Sequence, residues 1–236
     1  MTITAESTVR DIVLETPTAI SVLERFGIDY CCGGGHTLAE ACSKRDQSLA
    51  PVLNELKLQQ NQSNPQGDWR GAPLQDLVSH IVHTHHAFAR TQLGLIHELA
   101  TKVERRHGST HPEVHKIGNV LAGISAELTH HFSCEEEVLF PYIEQLNGCK
   151  AQRGPGVFSS AELPIARMMK DHGQTGDELR ALREITKDYQ PPSDACTTYR
   201  ALYRAMEDLE RDLHQHIHLE NNILFPRALE LEKKYT

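Results

Sequence analysis

Aromatic residues are scarce in this chain, at 6% of 236 residues with a single tryptophan. No stretch approaches the roughly 18 consecutive apolar residues that a membrane span requires, which argues against a membrane protein. A basic excess is missing as well. Lys and Arg number 24 against 32 Asp and Glu, a net charge of −8. Nucleic-acid binders carry a basic footprint, so that partner class is not expected. The segment Met1-Thr-Ile-Thr-Ala-Glu-Ser-Thr-Val-Arg10 has no basic start followed by an apolar run, and the expected location is the cytoplasm. The six cysteines (Cys31, Cys32, Cys42, Cys134, Cys149 and Cys196) contain no Cys-x-x-Cys pair and do not read as a disulfide framework. Alternating β-branched runs are absent, which leaves an all-α fold as the expectation.

Histidine, in contrast, is abundant: 15 residues, several times the usual share. The chain divides by pattern into three parts. Residues 1–58 read as a small N-terminal helical domain. Its helices are expected at Thr8 to Glu15, at Pro17 to Phe26 with a stop at Gly27-Ile28, after a Thr37/Glu40 capping box, and at Ala50 to Leu58. Residues 59–71 are polar, with Pro65 and Gly67, and suit a linker in which Trp69 docks on a neighbouring surface. Residues 72–236 read as four long helices, from about Pro73 to Arg106, Thr110 to Asn147-Gly148, Ser159 to Tyr189, and Ser193 or Asp194 to Lys233. Thr110 and Glu113 fit a capping box for the second. Long helices with short connections predict an up-down-up-down bundle.

Two of these helices carry the same motif. His131-Phe-Ser-Cys-Glu135-Glu-Glu-Val-Leu-Phe-Pro141 and His216-Ile-His-Leu-Glu220-Asn-Asn-Ile-Leu-Phe-Pro226 both read His-x-x-x-Glu-x-x-[Val/Ile]-Leu-Phe-Pro. Residues i and i+4 project from one helix face, a turn apart. A single such pair is normally a solvated surface pair. Two copies with the same apolar tail place the histidines at the border of the core, where burying imidazoles and carboxylates together without a cation is costly. The preceding helices supply His86 and His172. Four imidazoles and two carboxylates from four helices suit iron, manganese or zinc, and carboxylates with two oxygens each suit a metal pair. In the first helix, the apolar stripe of Leu74, Leu77, Val78, Ile81, Val82, Phe88 and Ala89 centres on His85. Periodicity therefore favours His85 as the inward residue, with His86 at the edge and the other histidines of this helix toward solvent.

At these residues the chain resembles the repair-of-iron-centres family, hemerythrin-like di-iron proteins that repair iron–sulfur clusters under nitrosative and oxidative stress. The likeness runs over nearly the whole chain and includes Asp29-Tyr-Cys-Cys-Gly-Gly, Asp68-Trp-Arg, Lys102-Val-Glu-Arg105, Ala195-Cys-Thr-Thr198 and Leu219-Glu-Asn-Asn222. It implies a hemerythrin-like bundle behind a vicinal-cysteine domain, with an oxo-bridged pair of iron ions. It places ligands at His86, His131, His172 and His216, with Glu135 and Glu220 bridging. It thus selects His86 over His85, which stands where a tyrosine is familiar and is left beside the ligands. It also implies roles near the metals for Glu127 and for Asp171, where a glutamate is familiar. Cys31 and Cys32 lie in a glycine-rich turn before a predicted helix, where a lowered thiol pKa is expected. They read as a redox or iron- and NO-handling pair, while the other cysteines pack or lie idle.

The implied function is iron–sulfur cluster repair, with the di-iron site as a labile iron source and damaged or apo iron–sulfur proteins as partners. Alternatives are a nitric oxide reductase or scavenger, a hemerythrin-like O2 or NO carrier or sensor, and a zinc-only structural bundle. Whether the protein is an enzyme stays open, as does oligomeric state, a homodimer included.

Overall fold

The computed structural model describes residues 2–59, 68–148 and 160–235, and among them the regular elements are helical apart from one isolated bridge between Thr8 and Thr37. Contacts divide the chain into two compact units, Met1–Pro73 with Ile217–Arg227, and Leu74–His216 with Ala228–Thr236. No helix among the described residues is long and apolar enough to cross a membrane.

In the first unit, Thr8 caps α1 (Val9–Glu15) by accepting the Asp11 N–H, and α1 buries Val9, Ile12 and Val13. A 3-10 turn (Pro17–Ala19) leads into α2 (Ile20–Arg25). Gly27 stops that helix at φ 64°, and the Ile28 N–H returns to the Leu23 carbonyl at 2.9 Å. This is the left-handed closure that the Gly27-Ile28 pair predicts. The Thr37/Glu40 capping box opens α3 (Leu38–Lys44), with both reciprocal hydrogen bonds present. After α4 (Leu49–Gln59), the apolar faces close on one core that includes Leu23, Leu38, Val52, Leu56 and Ile217. Trp69 is held through its backbone: Arg227 donates to the carbonyls of Trp69 and Ala72. Most of the predicted linker lies outside the described residues.

The longer helices form successive rods. The first is α5 (Leu74–His80), a π-helical turn (Ile81–His86) and α6 (Ala87–His107). The second is α7 (Glu113–Cys134), a π-helical turn (Glu135–Leu139) and α8 (Phe140–Gly148). The third is α9 (Glu162–Thr186). The fourth is α10 (Thr197–Leu219), a π-helical turn (Glu220–Leu224) and α11 (Phe225–Tyr235). The second rod does not use the expected Thr110/Glu113 capping box. Pro112 precedes Glu113 at the helix start, and the Thr110 hydroxyl donates instead to the His107 carbonyl. The predicted opening of the third helix at Ser159 lies outside the described residues, as does Cys149. One core joins the rods and includes Leu93 and Ile96, Leu121 and Phe132, Leu179 and Leu182, and Tyr199, Met206 and Leu213.

α9 ends earlier than predicted. Lys187, Asp188 and Tyr189 come after it in left-handed backbone at φ 53°, 58° and 55°, a conformation that side chains with a Cβ adopt reluctantly. Arg183 holds this corner. Its guanidinium lies 5.1 Å from the Tyr189 ring and grips the buried Glu210 at two points, Nε to Oε1 at 3.2 Å and Nη2 to Oε2 at 2.8 Å. Burial and the Glu210 charge hold the Tyr189 phenol protonated far beyond its ordinary range. Arg183→Ala removes the two-point partner of the buried Glu210 carboxylate and leaves it His214 at 3.8 Å. The expected loss is about 2–3 kcal/mol in urea unfolding, below the fully buried case because the arginine is partly solvated. Adding Glu210→Leu is expected to recover most of it.

Candidate metal centre

The three π-helical turns sit at the chemistry. His86 closes the first, Glu135 opens the second and Glu220 opens the third. Each side chain is fully buried. A π turn inserts one extra residue into an α-helix, so it rotates the next stretch of helix and presents consecutive residues to the same side. That explains the ambiguity in the first helix. His85 and His86 are both buried, and His80 is half-buried rather than solvent-facing. The π winding brings His86 inward beside His85, where the regular wheel leaves it at the edge of the stripe.

Two imidazole pairs face each other across their ring nitrogens. His86 Nε2 lies 3.2 Å from His216 Nε2, and His172 Nε2 lies 2.9 Å from His131 Nε2. Nitrogens about 2.1 Å from one ion and at right angles stand about 3.0 Å apart, so each pair has the spacing of adjacent ligands. Glu135 addresses both pairs. Its Oε1 is 3.1 Å from His131 Nε2 and its Oε2 is 3.4 Å from His86 Nε2. Glu220 stands one turn beyond His216 on the same rod. Ligand atoms of His86, Glu135, His216 and Glu220 lie within 4.8 Å of one another, and so do those of His131, Glu135, His172 and Glu220. These two His/Glu groups can each hold a metal ion.

Packing fixes the rings. His86 stacks on Phe132 with centroids 4.1 Å apart and planes 16° apart. Its Nδ1 is 2.6 Å from Glu136 Oε1, which also accepts from Arg90 at 2.9 Å. Burial works against the Glu136 charge, but the bonds from Arg90 and His86 prevail and hold its pKa below the ordinary value. A carboxylate behind a histidine is the usual means of orienting a metal-binding imidazole. Glu136 was not among the expected site residues. The signal that points to it is the Glu135-Glu136-Glu137 run, in which Glu136 falls opposite Arg90. His85 lies outside both groups. It bonds Asp212 Oδ1 through Nδ1 at 2.9 Å, and its ring lies parallel to that of His216, 5.8 Å away at 7°.

The two acids implied by resemblance stand apart. Asp171 Oδ2 is 3.9 Å from His131 Nδ1 on a side chain that is 39% exposed, a position behind the imidazole and not among the ligand atoms. Glu127 accepts from the Gln174 side chain. Its charge, after burial, helps raise the pKa of Glu178.

In the first unit, Cys31 is buried and Cys32 exposed. The expectation of a lowered thiol pKa is overturned for Cys31, whose value is pushed well up. The hydrogen bond with Cys32 is the largest cause, followed by burial and the charges of Cys32 and Asp29. Both cysteines precede the Thr37 cap of α3 and do not occupy the helix start. Asp29 Oδ1 accepts their N–H groups, at 3.1 and 2.9 Å. Behind this turn, Asn221 donates to the Cys31 carbonyl at 3.2 Å and Asn222 to the Tyr30 carbonyl at 3.0 Å. Cys134 contacts His130 at 3.6 Å, Cys196 contacts His107 at 3.2 Å, and Cys42 is packed in the core.

This donor arrangement has relatives among known proteins. Residues 77–228 match the hemerythrin HHE cation-binding domain, and residues 5–60 match a domain of unknown function, DUF542. The chain is 38% identical over 220 residues to the iron–sulfur cluster repair protein YtfE of Escherichia coli O157:H7, covering 93% of this chain and 94% of that protein. The same protein of Pectobacterium atrosepticum is 36% identical over 219 residues, covering 93% and 95%.

Proposed function

Because the chain belongs to the hemerythrin-domain family of iron–sulfur cluster repair proteins, we propose that it repairs iron–sulfur clusters damaged by nitric oxide or oxidative stress, supplying iron from a two-iron store in its His/Glu centre. The ligands in this reading are His86, His131, His172 and His216, with Glu135 and Glu220 shared. The observation that carries it is Glu135, whose two oxygens turn to different imidazole pairs at 3.1 and 3.4 Å. One carboxylate serving two sites is what a metal pair requires.

The donor set fits iron. Imidazoles and carboxylates suit Fe(II) and Fe(III), and a cation offsets the cost of burying the two acids. Nitrogen and oxygen donors also take up protons readily, so the ions can leave as cargo more easily than from an all-thiolate cage. Bound iron supplies both the cargo and a redox-active centre. The chain's own residues position it: Glu136 and Arg90 orient His86, Phe132 walls the ring, and Asp212 fixes His85 beside His216. Damaged or apo iron–sulfur proteins are the recipients.

The test is transfer of iron from loaded protein to an apo iron–sulfur protein, with recovery of the recipient's cluster absorbance as the readout. His216→Ala and Glu220→Ala are each expected to abolish transfer. Full transfer by either variant overturns the reading. A second reading, binding or reduction of nitric oxide, is favoured by the small number of protein donors, which leaves coordination positions for a diatomic ligand. Anaerobic turnover of NO to N2O by the reduced protein separates that enzyme from a non-enzymatic donor.

A further inference from the structure

The turn after α2 gathers Asp29, Cys31 and Cys32, with one ligand atom of each within 4.8 Å of the others. We propose that these three side chains form a second metal site, for a borderline-soft divalent cation such as Zn2+ or Fe2+, with sulfur chemistry that the His/Glu centre lacks.

The donor spacing is that of a tetrahedral ion. Cys31 Sγ and Cys32 Sγ are 3.8 Å apart. Two thiolates bound at about 2.3 Å to one tetrahedral ion stand about 3.8 Å apart. Cys31 Sγ and Asp29 Oδ1 are 3.4 Å apart, close to the edge of about 3.6 Å expected for one sulfur and one oxygen ligand. The turn is built to hold this spacing. The Cys31 and Cys32 N–H groups both bind Asp29 Oδ1, so carboxylate and thiols move as one body. Gly33 lets the chain fold back over the acid. A Cβ there would lie 3.3 Å from both Asp29 Cγ and Oδ2, tighter than an ordinary contact.

Burial adds a direction. Cys31 is enclosed and Cys32 is open to solvent, so the cation enters from the Cys32 side. Three protein donors leave the fourth tetrahedral position to water or to a group from another molecule, which is the arrangement of an exchangeable ion. Both thiols release their protons to solvent as the cation takes the two thiolates, so binding strengthens as pH rises.

The experiment is a Co2+ titration of the reduced, full-length protein under anaerobic conditions. Absorbance is read where thiolate-to-cobalt charge transfer appears; the His/Glu centre has no sulfur and gives no such band. The band therefore tests this proposal independently of iron supply. The expected result is a band whose full amplitude corresponds to one thiolate-bound cobalt per chain, with cobalt in the His/Glu centre adding nothing to it, and which is bleached by Zn2+ or Fe2+. Cys31→Ser and Cys32→Ser each remove it. Asp29→Asn keeps an oxygen for the two N–H groups but drops the charge. It is expected to retain the band and weaken binding by about tenfold or more. The proposal is overturned by absence of the band in the wild-type protein, by its persistence in either serine variant, or by wild-type affinity in Asp29→Asn.

Discussion

Glu135→Ala is expected to strip both metal ions from the protein, whereas His172→Ala leaves about one in place. The difference comes from geometry. His172 belongs to one of the two His/Glu groups, but Glu135 belongs to both, facing His131 with one oxygen and His86 with the other. Even residues one shell outside a metal set affinity by about 10–100-fold, so loss of a shared ligand is expected to weaken both sites by at least about 100-fold. Metal analysis after anaerobic loading and desalting reads the outcome. Retention of two ions by Glu135→Ala at wild-type affinity removes the case for a shared carboxylate. A companion measurement runs the other way. Without a cation, a fully buried carboxylate is a liability, and replacing buried charge with an apolar group of similar size often stabilises a fold by about 1–4 kcal/mol. Glu135→Leu is therefore expected to raise the urea midpoint of the metal-free protein while abolishing loading. Opposite signs in the two measurements identify a residue kept for binding at the expense of stability.

The second large effect is expected at Asn221 and Asn222. Asn221 donates to the Cys31 carbonyl, and Asn222 donates to the Tyr30 carbonyl while accepting from Arg10 Nε at 2.9 Å. Replacing both by alanine removes these three bonds at the buried turn, each contributing about 1 kcal/mol, together with the Asn222–His218 bond within the helix at 2.9 Å. If the turn opens locally rather than through global unfolding, about 3 kcal/mol raises the open population by about 100-fold. Alkylation of the buried Cys31, read by mass spectrometry, is expected to accelerate by about that factor. The exposed Cys32 serves as the internal control and keeps its rate. An unchanged Cys31 rate shows that the asparagines do not hold the turn.

Several features of this molecule are legible in its sequence because they depend on local rules. The Thr37/Glu40 box and the Gly27-Ile28 stop form as spacing predicts, since each involves bonds within a few residues. The doubled His-x-x-x-Glu motif announces a shared site, and its four key residues converge with His86 and His172. The register shift is hidden from the residues alone. Helical periodicity centres on His85, but the π turn at Ile81–His86 carries His86 inward as well, and only family likeness points to it beforehand. The thiol expectation fails for a related reason. Glycines before a helix suggest an end-of-helix position for the cysteines, whereas the chain uses them to fold over Asp29. There the bond to Cys32, burial and the neighbouring charges together raise the Cys31 pKa. Glu136 shows in the sequence only as one of three consecutive glutamates, because its partners, His86 and Arg90, lie on another rod.

The π-helical turns carry a consequence for protein engineering. Each is a one-residue surplus in an otherwise regular helix, so a donor arrangement copied by sequence spacing onto ideal straight helices will point its groups in the wrong directions. Winding Ile81–His86 or Glu220–Leu224 as regular α-helix with every residue kept would swing the downstream part of that helix by about 100°, the angular step of an α-helix. A scaffold meant to host this constellation must therefore inherit the irregular windings along with the donors.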